Sequence, residues 1–196
     1  MKIGVLALQG AFIEHEQVLR RIGVEACEVR LPQHLKGLDG LIIPGGESTT
    51  IGKLAVLYGL MDPIRAMAAA GKLLWGTCAG MIFMAQNIGR DQPLLGLMDM
   101  QVKRNAFGRQ VDSFEAMLDV PAIVTPENRR PFHAIFIRAP LIESVGSGVD
   151  VLARLEDGAI VAARQGQLLV TSFHPELSGD DRFHRYFVAG GLTFDI

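Results

Sequence analysis

Short apolar runs alternate with stretches of helical periodicity through the first 90 residues, and that alternation limits the fold more than any other feature of the chain. Residues 3–8 are almost continuously apolar, the pattern of a strand covered on both faces, as in a parallel sheet. Ile13, Val18, Leu19 and Ile22 then recur at helical spacing, Gly23 supplies a stop, and residues 26–29 read as a second strand ended by Leu31-Pro32. Strand, helix and strand in that order make a βαβ unit. The cycle repeats with a strand at 41–43, a helix to about Tyr58 that the hydroxyls of Ser48, Thr49 and Thr50 can cap, and a helix at 63–70 stopped by Gly71. A strand at 72–75 and an apolar helix at 81–87 complete it.

Beyond residue 90 the apolar segments shorten, around Leu97, 114–118, 134–137, 151–155, 160–164 and 168–173. Turns such as Glu156-Asp157-Gly158 and Arg164-Gln165-Gly166-Gln167 join several of them, so antiparallel additions to the sheet are expected. Residues 121–131 read as a mobile surface loop. A chain of 196 residues with no repeat or linker is expected to form a single α/β domain, 1–196, with a mixed sheet.

Composition narrows the function classes. A net charge of -2 and a pI near 6.2 give no sequence-wide footprint for a phosphate backbone, so nucleic acid is not expected as a partner. No segment approaches the roughly 18 consecutive apolar residues of a membrane span, and the amino terminus lacks a secretory pattern. Two cysteines make neither a disulfide scaffold nor a structural zinc site, which points to a reducing, cytoplasmic setting.

One of those thiols lies in Gly76-Thr77-Cys78-Ala79-Gly80, a G-x-C-x-G between a buried strand and a helix. This is the thiol counterpart of the nucleophile elbow, in which a sharp turn lifts the side chain off the sheet and glycines let neighbouring backbone pass. A helix beginning just after it favours the thiolate. The pentapeptide alone also suits a buried structural cysteine. A nucleophile needs a base and the base an orienting partner. Among five histidines, His174 follows an apolar strand and precedes Pro175-Glu176. At a strand end residues two apart share a side, which sets Glu176 beside His174 and leaves the other imidazole nitrogen for Cys78. His15, His34, His133 and His184 read as surface or internally satisfied residues, and Cys27 as a packing residue. In Pro44-Gly45-Gly46-Glu47-Ser48, at another strand end, consecutive glycines let a backbone N–H approach an oxyanion, and the Ala79 amide is the natural second donor. A phosphate loop does not fit: the lysine motif is missing and Glu47 would repel the ligand.

Taken together, the Cys78 elbow, the His174-Pro175-Glu176 triplet and the Gly45-Gly46 loop resemble a class I, triad glutamine amidotransferase. Leu8-Gln9-Gly10-Ala11-Phe12, the string from Arg104 to Glu115, and Phe136-Ile137-Arg138-Ala139-Pro140 are further similar to the glutaminase subunits of pyridoxal 5'-phosphate synthases. The resemblance implies a three-layer, open, mostly parallel mixed sheet of flavodoxin-like type. It implies hydrolysis of L-glutamine through a thioester on Cys78, with Gly46 and Ala79 as the oxyanion hole and Gly46, Glu47, Ser48, Arg104, Ile137 and Arg138 holding substrate. A (β/α)8-barrel synthase subunit is the implied partner, no cofactor or metal is expected, and the isolated chain should be weakly active, its Gly45-Gly46 peptide being flipped until docking. The alternatives are a glutaminase serving another class I amidotransferase, or a non-catalytic regulatory subunit.

Overall fold

The structure, a computed structural model, describes residues 1–104 and 113–191. The strands are β1 (Lys2–Leu6), β2 (Glu25–Val29), β3 (Gly40–Ile43), β4 (Leu73–Thr77), β5 (Ala85–Asn87), β6 (Met98–Lys103), β7 (Ser113–Leu118), β8 (Phe132–Ile137), β9 (Leu141–Val145), β10 (Asp150–Arg154), β11 (Ile160–Gln165) and β12 (Leu168–Thr171). The α-helices are α1 (Phe12–Arg21), α2 (Ser48–Leu57), α3 (Met61–Ala69), α4 (Ala79–Met84) and α5 (Arg182–Val188). Among the described residues the main sheet runs β2-β1-β3-β4-β12-β11-β9-β6-β5, with β10 paired to β11. Its first five members are parallel, as the apolar runs require, and β11, β9 and β10 add to it antiparallel.

Each face of the sheet buries its own core. Leu19 of α1 and Phe183, Tyr186 and Phe187 of α5 pack with Trp75 and Phe173 on one face, while Ile51, Ala55, Ile64 and the whole apolar run of α4 cover the other. The result is the three-layer arrangement expected. Within α1 the buried residues are His15, Glu16, Val18 and Leu19, whereas Ile13 is 53% exposed, so the core-facing stripe includes two polar side chains that periodicity of apolar residues does not find.

Two expectations need correction. The helix expected over 81–87 ends at Met84, because the Phe83 and Met84 carbonyls accept from Leu95 and Leu97 rather than from the next turn, and Ala85–Asn87 pairs with β6 instead. Strands β7 and β8 form a separate two-stranded ribbon rather than extending the sheet. Phe132 and Phe136 on its inner side pack against Phe173, with ring centroids 5.6 and 5.5 Å away, which lays the ribbon across the face of the sheet. Residues 121–131 are mostly exposed, with Ile123 of the 3-10 turn Pro121–Ile123 buried and the Arg182 guanidinium donating to the Arg130 carbonyl at 2.8 Å.

Candidate active site

Cys78 stands between β4 and α4 at φ +49° and ψ −104°, one of two described non-glycine residues with positive φ. The turn is held from both sides. The Cys78 N–H donates to the Thr171 carbonyl at 2.8 Å, joining the end of β4 to the end of β12. A Cβ on Gly80 would overlap the Ile43 carbonyl oxygen, and one on Gly76 would press on the Gly80 carbonyl. Both glycines therefore serve the close approach of backbone that the elbow needs. The Cys78 thiol is buried and lies 3.8 Å from the Ile137 carbonyl.

His174 arrives from the neighbouring parallel strand. Strand β12 stops at Thr171, and the His174 N–H donates to the Ile135 carbonyl of β8 at 2.8 Å. Residues Pro175–Leu177 then form a 3-10 turn rather than the extended strand end expected. The pairing is reached all the same, with His174 Nδ1 2.7 Å from Glu176 Oε1. Desolvation alone would pull the His174 pKa down, but hydrogen bonds to Cys78 and Glu176 outweigh it and raise the value to about 10. Burial pushes Glu176 up, yet the histidines, His15 before His174, bring it below the ordinary carboxylate range. A charged imidazole held between a thiol and a carboxylate is the electrostatic pattern of an activated cysteine.

The glycine loop closes the site from the other side. The Gly45 carbonyl accepts from the Ala11 N–H at 3.1 Å, so the Gly46 N–H of the same trans peptide is directed away from Ala11. Gln9 Oε1 accepts the Glu47 N–H at 2.6 Å, which fixes the next peptide. The cap of α2 is the Glu47 carboxylate rather than a hydroxyl, accepting from the Thr49 N–H at 3.0 Å and the Thr50 N–H at 2.7 Å. Burial opposes ionisation of Glu47, but these bonds and those of the Thr49 and Thr50 side chains lower its pKa to about 2. Arg104 reaches the same corner, 3.2 Å from Glu47 Oε1 and 3.0 Å from Gln92 Oε1. Ser48 is buried and accepts from Gln92 Nε2 at 3.3 Å. Ile137 ends β8, and Arg138 follows at φ +44°.

The site residues, apart from Glu176 behind His174, line one cleft of about 410 Å³, whose walls include Gln9, Gly46, Cys78, Arg104, Arg138 and His174, with Ala79 at the start of α4 beside them. The structure thus brings every site residue read from the sequence to one place. Residues 105–112 of the Arg104 to Glu115 string lie outside the described residues. Sequence reading missed the positioning roles of Gln9 and Gln92, and it missed His15, fully buried with Nε2 3.3 Å from Glu176 Oε2. A larger cleft, about 910 Å³, lies near Met117, Arg130 and Asp180, and its lining includes no cysteine.

A family model described as the SNO glutamine amidotransferase family matches residues 5–191. A "Pyridoxal 5'-phosphate synthase subunit PdxT" from Herpetosiphon aurantiacus is 59% identical over 192 residues, spanning 96% of this chain and 99% of its own length. A solved structure described as a glutamine amidotransferase is 53% identical, with a TM-score of 0.89 over 96% of this chain and 98% of that one. At 18% identity, a putative GMP synthase component from Thermoplasma acidophilum shares the fold with a TM-score of 0.69, over 97% of this chain and 94% of its own.

Proposed function

The chain belongs to the SNO glutamine amidotransferase family, and from that premise we propose that it is a cytoplasmic glutaminase, hydrolysing L-glutamine to glutamate and ammonia for a pyridoxal 5'-phosphate synthase. The observation that carries this reading is the buried Cys78 on a positive-φ elbow, lining one cleft with a His174 whose Nδ1 is 2.7 Å from Glu176. The partner is a (β/α)8-barrel synthase subunit that consumes the ammonia.

The chemistry follows from the charges. With His174 holding its proton at neutral pH, Cys78 attacks the carboxamide carbon as a thiolate, and the C=O electron pair moves onto oxygen. The N–H groups of Gly46 and Ala79 receive that oxyanion, a contribution of about 10²–10³ in rate for each such donor. His174 passes its proton to the departing nitrogen, the C–N bond breaks, and ammonia leaves behind a thioester on Cys78. The now neutral imidazole takes a proton from water, whose attack on the thioester releases glutamate and restores the thiolate. Glu176 keeps the imidazole oriented throughout. Gly46, Glu47, Ser48, Arg104, Ile137 and Arg138 hold the substrate, a reading supported by their place in the Cys78 cleft and by the fit of guanidinium to an α-carboxylate.

The test is glutamate release from glutamine by the purified chain, alone and with its synthase partner. Turnover should rise on adding the partner and vanish in Cys78→Ala. Undiminished release by that variant would overturn the nucleophile, and equal rates with and without the partner would overturn formation of the oxyanion hole on docking.

A further inference from the structure

Glu176 uses one oxygen on His174, and its other oxygen, Oε2, is fully buried without a well-aligned hydrogen bond. What faces Oε2 is the ring of His15 from α1, with Nε2 3.3 Å away and equally 3.3 Å from Thr77 Oγ1. The opposite nitrogen of that ring, Nδ1, is 2.9 Å from Nε2 of His184 on α5. Both histidines are fully buried, wedged against Trp75 with ring centroids 5.6 and 4.9 Å from its own. Four side chains separated by up to 169 positions in sequence thus form one buried row, His174, Glu176, His15 and His184.

The direction of the row can be worked out. Were Nδ1 of His15 protonated, its Nε2 lone pair would face the Glu176 carboxylate, and His184 would have to carry its proton on Nδ1, a buried atom with no partner. An orphaned buried N–H is costlier and rarer than an under-used acceptor. The opposite tautomers leave no such donor: His184 Nε2–H donates to His15 Nδ1, and His15 Nε2–H is shared between Glu176 Oε2 and Thr77 Oγ1. Burial, the leading influence on both rings, favours their neutral forms. The titratable groups around them are Glu176 and His174 after β12, Glu14 on α1, and Arg21, which acts on His184.

We propose that His15, oriented by His184, is a positioning residue of the triad: its Nε2–H holds the second oxygen of Glu176 and so fixes the carboxylate plane that aligns His174 with Cys78. This rests on the glutaminase reading and adds a fourth and fifth member to it. Because the N–H is shared and both contacts are long, its loss should cost about 10-fold in turnover, the lower end for a partner that orients a reacting group through another residue. The loss also removes an N–H that faces the ionised carboxylate of Glu176, so the Glu176 pKa rises and the acid limb of the rate profile moves toward neutral pH.

The decisive measurement uses the unaltered protein: ring ¹⁵N chemical shifts should show His15 neutral and protonated on Nε2 at neutral pH. A proton on Nδ1 instead overturns the proposal, whatever the variants do. In the complex with the synthase partner, His15→Leu should lower kcat for glutaminase about 10-fold, leave KM for glutamine within about twofold and shift the acid limb upward. His15→Gln, whose amide can donate from nearly the same place, should recover most of the rate. If the unaltered complex releases no glutamate, the glutaminase reading fails. If it does, and His15→Leu matches it in kcat and acid limb, only the role of His15 falls.

Discussion

Replacing Cys78 by alanine and by glycine separates the chemistry of the elbow from its mechanics. Both variants lack the thiol and should be inactive, so their stabilities carry the information. At φ +49° and ψ −104° the residue lies outside the left-handed helical well as well as the right-handed one, and any side chain with a Cβ is strained there. Such strain is about 1–3 kcal/mol, and a ψ so far from the left-handed minimum puts it near the upper figure. Glycine relieves it but loses roughly 0.5–1 kcal/mol to its freer unfolded chain and about 0.8 kcal/mol for one buried methyl. The difference leaves Cys78→Gly more stable than Cys78→Ala by about 1 kcal/mol, or about 2–4 °C in Tm for a chain of this size. At an ordinary buried position the order is reversed. Calorimetry and urea unfolding of the two variants side by side decide the matter, and an alanine variant that melts at or above the glycine variant would refute the strain.

Two further perturbations probe the loops beside the elbow. Gly80→Ala forces a Cβ onto the Ile43 carbonyl oxygen, a backbone atom that cannot step aside, and should destabilise the fold by about 1–3 kcal/mol in urea unfolding while lowering turnover; wild-type values for both would show that α4 and β3 can separate freely. Glu47→Ala removes the cap of α2 and should cost about 0.5–2 kcal/mol, toward the lower figure because the carboxylate is half exposed. Since the folded pKa of Glu47 is depressed to about 2, that contribution is present above pH 4.5 and lost as pH falls toward 2, so the gap between wild type and variant should close in acid; a gap that is constant with pH would contradict the capping assignment.

The parts of the site that were legible in the sequence are those written locally. Gly76 to Gly80 packs a nucleophile and its clearance glycines into five residues, and His174 with Glu176 places base and orienter two apart, so each motif states its chemistry without knowledge of the fold. Even there the backbone differed: a 3-10 turn rather than a strand end joins His174 to Glu176. The inner parallel strands β1, β3, β4 and β12 were legible because they are buried along nearly their whole length and read as mostly apolar runs. Less was legible where a residue acts through partners distant in sequence. Gln9 grips the Glu47 amide 38 positions away, and Gln92 touches Ser48 and Arg104 from opposite sides. His15 looks like any polar residue on a helix whose apolar neighbour, Ile13, turns out to face solvent. Helix α4 stops short for the same reason, its last carbonyls being claimed by Leu95 and Leu97.

Strand β12 is the last strand among the described residues, yet it sits in the middle of the sheet, between β4 and β11, and brings His174 to Cys78. On the ribosome the thiol is therefore made well before its base. At about 5–20 residues per second, the stretch from Cys78 to Glu176 takes on the order of 5–20 s to synthesise. For that interval the nascent protein holds the cysteine without the His174 imidazole that raises its reactivity. Placing β12 beside β4 brings the base to the nucleophile, so a misfolded or truncated chain that leaves that slot empty also lacks an activated cysteine.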